Sequence, residues 1–172
     1  MAIAFVVRGG TADDYDRVIV GVDAWWGGRS VATMLPRLFF QHFGPWTFVA
    51  EKDANIIGFL AGFRSQTDER QAYCHFVGVS PEARGLGVGA ALYDRLCADA
   101  AAAGCTQVFS VTSPSNTSSI AFHRGLGFDL LAGPATANDI PYVPNYDGPG
   151  EDRVRFVKRI GEAAVSQVIS ND

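Results

Sequence analysis

No uninterrupted apolar run in this chain approaches the roughly 20 residues a membrane-spanning helix needs, although apolar residues make up 48% of it. The N-terminal stretch MAIAFVVRGG has no basic segment before it, so it reads as a strand rather than a signal peptide. Cysteine is scarce. Cys74, Cys97 and Cys105 form no C-x-x-C pair and no cluster with histidine. They read as buried free thiols in a reducing compartment, and no metal-ligand spacing is present. An excess of positive charge is also missing: the net charge is −4, which works against non-specific nucleic-acid binding. The expectation is a cytoplasmic protein with no membrane, nucleic-acid or metal partner. Its 172 residues are expected to form a single domain over 1–172, with 161–172 as a short tail.

What is present is an alternation of short strands and helices. AIAFVVR (2–8) reads as a strand. Thr11, followed by Asp13 and Asp14, reads as the start of a helix running to about Asp23. TMLPRLFFQHF (33–43) reads as a helical piece interrupted near Pro36. WTFVAEK (46–52) and NIIGFLAGF (55–63) read as a hairpin about a tight turn at Asp53–Asn55. QAYCHFVGVS (71–80) is a further strand, stopped by Pro81. Leu92, Tyr93, Leu96 and Ala100 then make one apolar helical stripe, with Asp94, Arg95 and Asp99 on the other side. Gly104 closes that helix. TQVFSV (106–111) is a strand, Ser115 to about Arg124 a short helix, and FDLLA (128–132) and DRVRFVKR (152–159) the last two strands. The segment between them is too long and proline-rich for a simple hairpin loop. The order describes a mixed α/β sheet rather than a βαβ repeat.

The tetrapeptide RGLG occurs at 84–87 and again at 124–127. The first copy follows a strand and opens a helix, where backbone amides lack intrahelical partners and the helix dipole adds positive potential. Glycines at 85, 87 and 89 let the backbone curl there, so the segment suits an anion cradle; a glycine-rich turn with no ligand fits the spacing equally well. The second copy ends a helix, where free carbonyls repel phosphate, so Gly125 or Gly127 is expected to act as a left-handed stop.

Two nucleotide motifs are excluded by what they lack. A P-loop needs G-K-[ST] where this chain has Gly89–Ala90–Ala91. A dinucleotide fingerprint needs an acid on the following strand, and TQVFSVTSP has none. The segment V-S-P-E-A-R-G-L-G-V-G-A, Val79 to Ala90, resembles instead the acyl-CoA signature V-x-P-x-x-[RQ]-x-x-G-x-[GA] of the GCN5-related N-acetyltransferases (GNAT). N-T-S-S-I-A-F-H-R-G-L-G-F, Asn116 to Phe128, is similar to the second family motif, N-x-x-A-x-x-[LF]-Y-x-x-x-G-F. The resemblance covers about residues 2–160.

This resemblance implies an α/β (α+β mixed) fold. A central, mostly antiparallel sheet of six to seven strands would splay at the cofactor site, flanked by about four helices. It implies acetyl-CoA as co-substrate, its diphosphate held by the amides of Arg84, Gly85, Leu86, Gly87, Val88, Gly89 and Ala90. Pantetheine would pair with the backbone of Phe76, Val77, Gly78 and Val79 at a bulge near Gly78. Asn116, Ser119, Phe122 and His123 would complete the cofactor side. The implied reaction is direct attack of a primary amine on the thioester. His123 stands where the family usually has tyrosine, so it is the candidate proton donor to the departing thiolate. The strand before the cradle has no acid. That leaves His75, with Tyr73 on the same face, as the catalytic candidate for proton removal; Glu51, His42 and a water chain are further candidates.

In this family the acceptor is selected by the segment after strand one and the loop before the last strand. Here these hold Trp25 and Trp26, a possible lid or simple core, and Tyr142 and Tyr146 beside Asp139, Asp147, Glu151 and Asp152, which could enclose a cation or be solvated. The expected function is acetyl transfer to a small-molecule amine. A non-catalytic acyl-CoA-binding module and a protein or peptide N-acetyltransferase are the alternatives. The mildly amphipathic tail is a candidate for docking on the body or on a second subunit, leaving a homodimer open.

Overall fold

Alternating apolar residues along QAYCHFVGV produce a strand whose burial alternates residue by residue: Ala72, Cys74, Phe76 and Gly78 are buried and their neighbours half-buried. This strand, β4 (Gln71–Val79), is the centre of the computed structural model, which describes residues 4–161. The described residues fall into two compact units. One comprises residues 4–64 and 74–103, the other 65–73 and 104–161, and β4 contributes to both.

In the first unit the chain runs from β1 (Val6–Gly9) through α1 (Ala12–Trp25), a 3-10 turn (Ala32–Met34), α2 (Leu38–His42), β2 (Thr47–Lys52) and β3 (Asn55–Arg64) to the second half of β4 and α3 (Val88–Ala102). The interruption expected near Pro36 falls between the 3-10 turn and α2. β1, β2 and β3 pair antiparallel. The β2–β3 turn is Asp53–Ala54, both with positive φ (49° and 62°), the geometry that suits a two-residue hairpin. The core is built from Val18, Val22, Leu35, Phe39, Phe40, Val49, Phe59, Ala61 and Phe76. Each valine, leucine and phenylalanine among them contributes about 1.5–3 kcal/mol on burial. The first turn of α1 is anchored by Asp14, which is 2% exposed. Its carboxylate accepts two bonds from the Arg8 guanidinium (2.7 and 2.9 Å) and one from the Thr11 amide (2.9 Å).

In the second unit, β4 pairs parallel with β5 (Gln107–Thr112) over Gln71–Tyr73 and Gln107–Phe109. β5 pairs antiparallel with β9 (Val154–Arg159), and β9 with the short β6 (Asp129–Leu130). α4 (Thr117–Gly125) lies between β5 and β6 in sequence. The strand order β1-β2-β3-β4-β5-β9-β6 is thus a seven-stranded, mostly antiparallel sheet, as expected. The segment before β9 differs from expectation. It contains a second hairpin, β7 (Ala135–Ala137) and β8 (Ile140–Tyr142), turning at Asn138 and Asp139 with φ of 47° and 62°. Asn and Asp tolerate this left-handed geometry, which substitutes for a glycine signal.

The cysteines are free thiols; Cys74 and Cys105 are buried. Among the described residues no helix is long and apolar enough to cross a membrane. Most of the expected tail, from residue 162 on, and the first residues of the expected first strand lie outside the described residues.

Candidate active site

Pro81 ends β4 because it offers no N–H, and it opens a 3-10 turn (Pro81–Ala83). The chain then passes through Gly85 (φ 76°) to Gly87 (φ 83°), the N-cap of α3. A side-chain-bearing residue is disfavoured at these angles. The first helical bond runs from the Ala91 amide to the Gly87 carbonyl (2.9 Å). The amides of Arg84 and Leu86 turn inward to Pro81 and Ala83 (both 3.4 Å). Among the described residues, nothing accepts from the amides of Gly85, Gly87, Val88, Gly89 and Ala90. Val88 is buried and pins the helix start, while residues 84–87 are exposed. No atom lies within 4 Å of where a Cβ would stand at Gly85 or Gly87. A row of unpaired donors at a helix N-terminus, exposed at Gly85 and Gly87, fits a diphosphate.

The Arg84 side chain is turned away from this role. Its Nε donates to the Val79 carbonyl (3.3 Å) and its Nη2 to the Trp25 carbonyl. It therefore ties the end of β4 to the C-terminal end of α1, where a cation also meets the negative end of the helix dipole. Trp25 and Trp26 pack against the core of the first unit. The Trp26 ring lies 5.1 Å from Phe76, and Trp25 6.0 Å from Phe59. The loop after them is held by Asp23, whose Oδ1 accepts from the Val31 and Ala32 amides (both 2.7 Å).

His75 stacks on Phe39 (4.5 Å, 13°) and its Nε2 sits 2.6 Å from the Met34 carbonyl. A carbonyl only accepts, so Nε2 carries the proton and Nδ1 is the basic nitrogen of the neutral ring.

In the second unit, Asn116 caps α4: its Oδ1 accepts from the Ser119 amide (3.2 Å) and the Ser118 hydroxyl (3.0 Å). At the other end of α4, Gly127 (φ 82°) is the left-handed stop and Gly125 remains helical. The two RGLG copies thus place a left-handed glycine at opposite helix ends. His123 is 3% exposed, stacked on Phe156 (4.4 Å, 5°) and edge-on to Phe122 and Phe128. Its Nδ1 donates to the Ser119 carbonyl (2.8 Å), with the Ser119 hydroxyl at 3.2 Å. Burial pushes its pKa below the usual histidine range, and the bond to Ser119 only partly offsets this. A carbonyl only accepts, so Nδ1 carries a proton in this bond.

A cavity of ≈ 290 Å³ opens in the second unit. β4 contributes Gln71 and Tyr73 to its wall and β5 contributes Phe109 and Ser110; Tyr146 and Arg155 also line it. Of the expected residues, Tyr73 and Tyr146 are brought together here. Tyr142 pairs with Ala135 in the second hairpin instead. Three of the four acids expected to attract a cation are engaged locally, and Asp139 sits in the turn of the second hairpin. Asp147 and Glu151 pair with Arg153 (2.6 and 2.8 Å), and Asp152 accepts from the Asn145 amide (2.8 Å). Arg155 was not expected. The period-2 alternation of β9, with Val154 and Phe156 buried on either side of it, is the signal that could have singled it out.

Comparison with known proteins agrees with this fold. The sequence model described as the acetyltransferase (GNAT) family matches residues 19–128. L-2,4-diaminobutyric acid acetyltransferase of Nocardia farcinica is 36% identical over 84 residues, 49% of this chain. The chain spans 44% of the length of that curated relative. The diaminobutyrate acetyltransferase of Paenibacillus lautus, solved with L-2,4-diaminobutyric acid and coenzyme A, matches with a TM-score of 0.67 at 21% identity, over 90% of this chain and 94% of that one. The ribosomal-protein-alanine N-acetyltransferase of Brucella melitensis matches with a TM-score of 0.64 at 17% identity, over 90% and 99%. These structural likenesses are of fold alone. By its sequence match and its fold, the chain belongs to the acetyltransferase (GNAT) family.

Proposed function

We propose that this protein is an N-acetyltransferase that moves an acetyl group from acetyl-CoA to the primary amine of a small molecule by direct attack. The observation that carries the reading is the row of unpaired amides at Gly85 and Gly87–Ala90, in a chain that belongs to this family. Those amides hold the cofactor's diphosphate, and the backbone of Phe76–Val79 pairs with its pantetheine arm. Bound acetyl-CoA supplies the acetyl group as an activated thioester. Arg84 fixes the end of β4 through its bond to the Val79 carbonyl, so the cradle and the strand edge keep their spacing. The amine must lose a proton before it attacks, and His75 Nδ1 is the protein group proposed to take it.

A small acceptor is supported by the named substrate of the 36% identical relative, L-2,4-diaminobutyric acid. The test is thiol release from acetyl-CoA in the presence of a panel of amines, diamines and amino acids, with peptides bearing free N-termini as the comparison. Turnover on small amines well above that on peptides is expected. Turnover on peptides alone, or coenzyme A binding with no turnover on any amine, would overturn the reading.

A further inference from the structure

We propose that the cavity bearing Tyr73, Ser110, Tyr146 and Arg155 binds the carboxylate of an amino-acid acceptor, with Arg155 as its cationic partner; this deepens the small-amine reading and rests on it. Arg155 is the charged residue of the cavity wall, and no acid lines it. Its Nη2 donates to the Ala132 carbonyl (2.6 Å), which holds the guanidinium in place. Its Nε is buried and has no acceptor among the described residues. A buried donor on a charged group is costly to leave unpaired, and an anionic ligand drawn to this guanidinium would offset that cost.

The strand pairing fixes this position. Arg155 stands opposite Val111 in the β5–β9 register, and Ser110 opposite Phe156. The Leu131 amide donates to the Arg155 carbonyl (2.9 Å), adding a second backbone tie. The cavity therefore sits on sheet rather than on loop for most of its wall. Tyr73 and Phe109, the last residues of the parallel β4–β5 register, are part of that wall.

The charge decides between ligand classes. A bare diamine would bring ammonium groups to a guanidinium and be repelled. The pantetheine arm of coenzyme A is uncharged and leaves the guanidinium unmatched. A carboxylate supplies two acceptor oxygens to the guanidinium, a geometry suited to arginine. Tyr73 and Tyr146 add phenolic groups within the same wall, which suit a polar ligand with a short apolar body.

Calorimetry on the full chain, without acetyl-CoA, tests this with matched pairs: L-2,4-diaminobutyrate against 1,3-diaminopropane, and lysine against 1,5-diaminopentane. The amino acid of at least one pair is expected to bind about tenfold or more tightly than its decarboxylated partner. Arg155→Gln should erase that preference, and Arg155→Lys should retain part of it. Equal binding within every pair, binding of neither member of any pair, or a preference that survives Arg155→Gln would overturn the proposal. The wild-type comparison does not depend on any variant folding. Acetylation of no amine, with the carboxylate preference intact, would defeat the enzymatic reading and leave this site standing.

Discussion

The indole of Trp26 fills the space over Gly78 where a side chain would stand. A Cβ placed on Gly78 would lie 2.5 Å from Trp26 Cη2 and 2.7 Å from Phe59 Cε1. The glycine of β4 is thus matched to the tryptophan that follows α1, and the strand proposed to receive pantetheine is packed against the segment that carries Trp26. Gly78→Ala is expected to displace the indole and cost about 1–3 kcal/mol by overpacking. Urea unfolding followed by tryptophan emission measures both effects; unchanged stability and unchanged emission would refute the close packing.

Gly87→Asp should remove coenzyme A binding, since it sets a carboxylate beside the unpaired amides and forces a non-glycine residue to φ 83°. Gly87→Ala is the control. It carries the backbone cost, about 1–2 kcal/mol, without the charge. Because the space around that Cβ is open, both variants should fold. Isothermal titration should show at least about tenfold weaker binding for the aspartate than for the alanine; equal affinities would remove the anion-cradle account.

Asp14 and Arg8 set a pH-dependent part of the stability. The Arg8 guanidinium holds the Asp14 carboxyl well below the usual carboxylate range. A depressed carboxylate pKa means stability that is present above the unfolded value, about 4, and lost as pH falls through the folded one. Asp14→Asn is expected to cost about 1–3 kcal/mol at neutral pH, because Arg8 and Arg17, the latter 3.0 Å from Asp14, then face a neutral amide while Glu51 still balances part of their charge. The gap between wild type and variant should narrow at pH 3. A constant gap from pH 7 to pH 3 would contradict the ion pair.

His123 acts in the same direction at higher pH. Its folded pKa lies below the usual histidine value through burial. Its contribution is therefore present above about 6.5 and lost as pH falls through the folded value. His123→Phe keeps the stack on Phe156 and should flatten the stability profile between pH 5 and 7. With Nδ1 bonded to Ser119, the same variant should lower kcat less than about tenfold. A larger loss at unchanged acetyl-CoA affinity would assign the ring to proton donation after all.

The legible parts of this molecule are those in which a local rule and the tertiary result agree. The helix at Val88–Ala102 carries its own stripe of Leu92, Tyr93, Leu96 and Ala100, and its entry and exit are written in Gly87 and Gly104. The strand Gln71–Val79 carries strict alternation. The second hairpin was hidden because Asn138–Asp139 makes its turn without glycine and Pro141 sits within its second strand. The roles of polar groups were the least legible. Arg84 has the position of a phosphate ligand in sequence, yet its guanidinium donates to the carbonyls of Val79 and Trp25. Nothing in the local pattern of the last strand gives the hydrogen-bond partners of Arg155, and only the tertiary structure leaves its Nε without an acceptor among the described residues. Hydrogen-bond partners distant in sequence decide such cases, and no local pattern encodes them.

The most direct test of the account is an amide-resolved ¹⁵N–¹H titration of the full chain with coenzyme A, compared with pantetheine, which lacks the diphosphate. The amides of Gly85, Gly87, Val88, Gly89 and Ala90 are predicted to shift with coenzyme A and to stay in place with pantetheine. Coenzyme A binding that leaves these amides unmoved, or pantetheine moving them equally, would contradict the account.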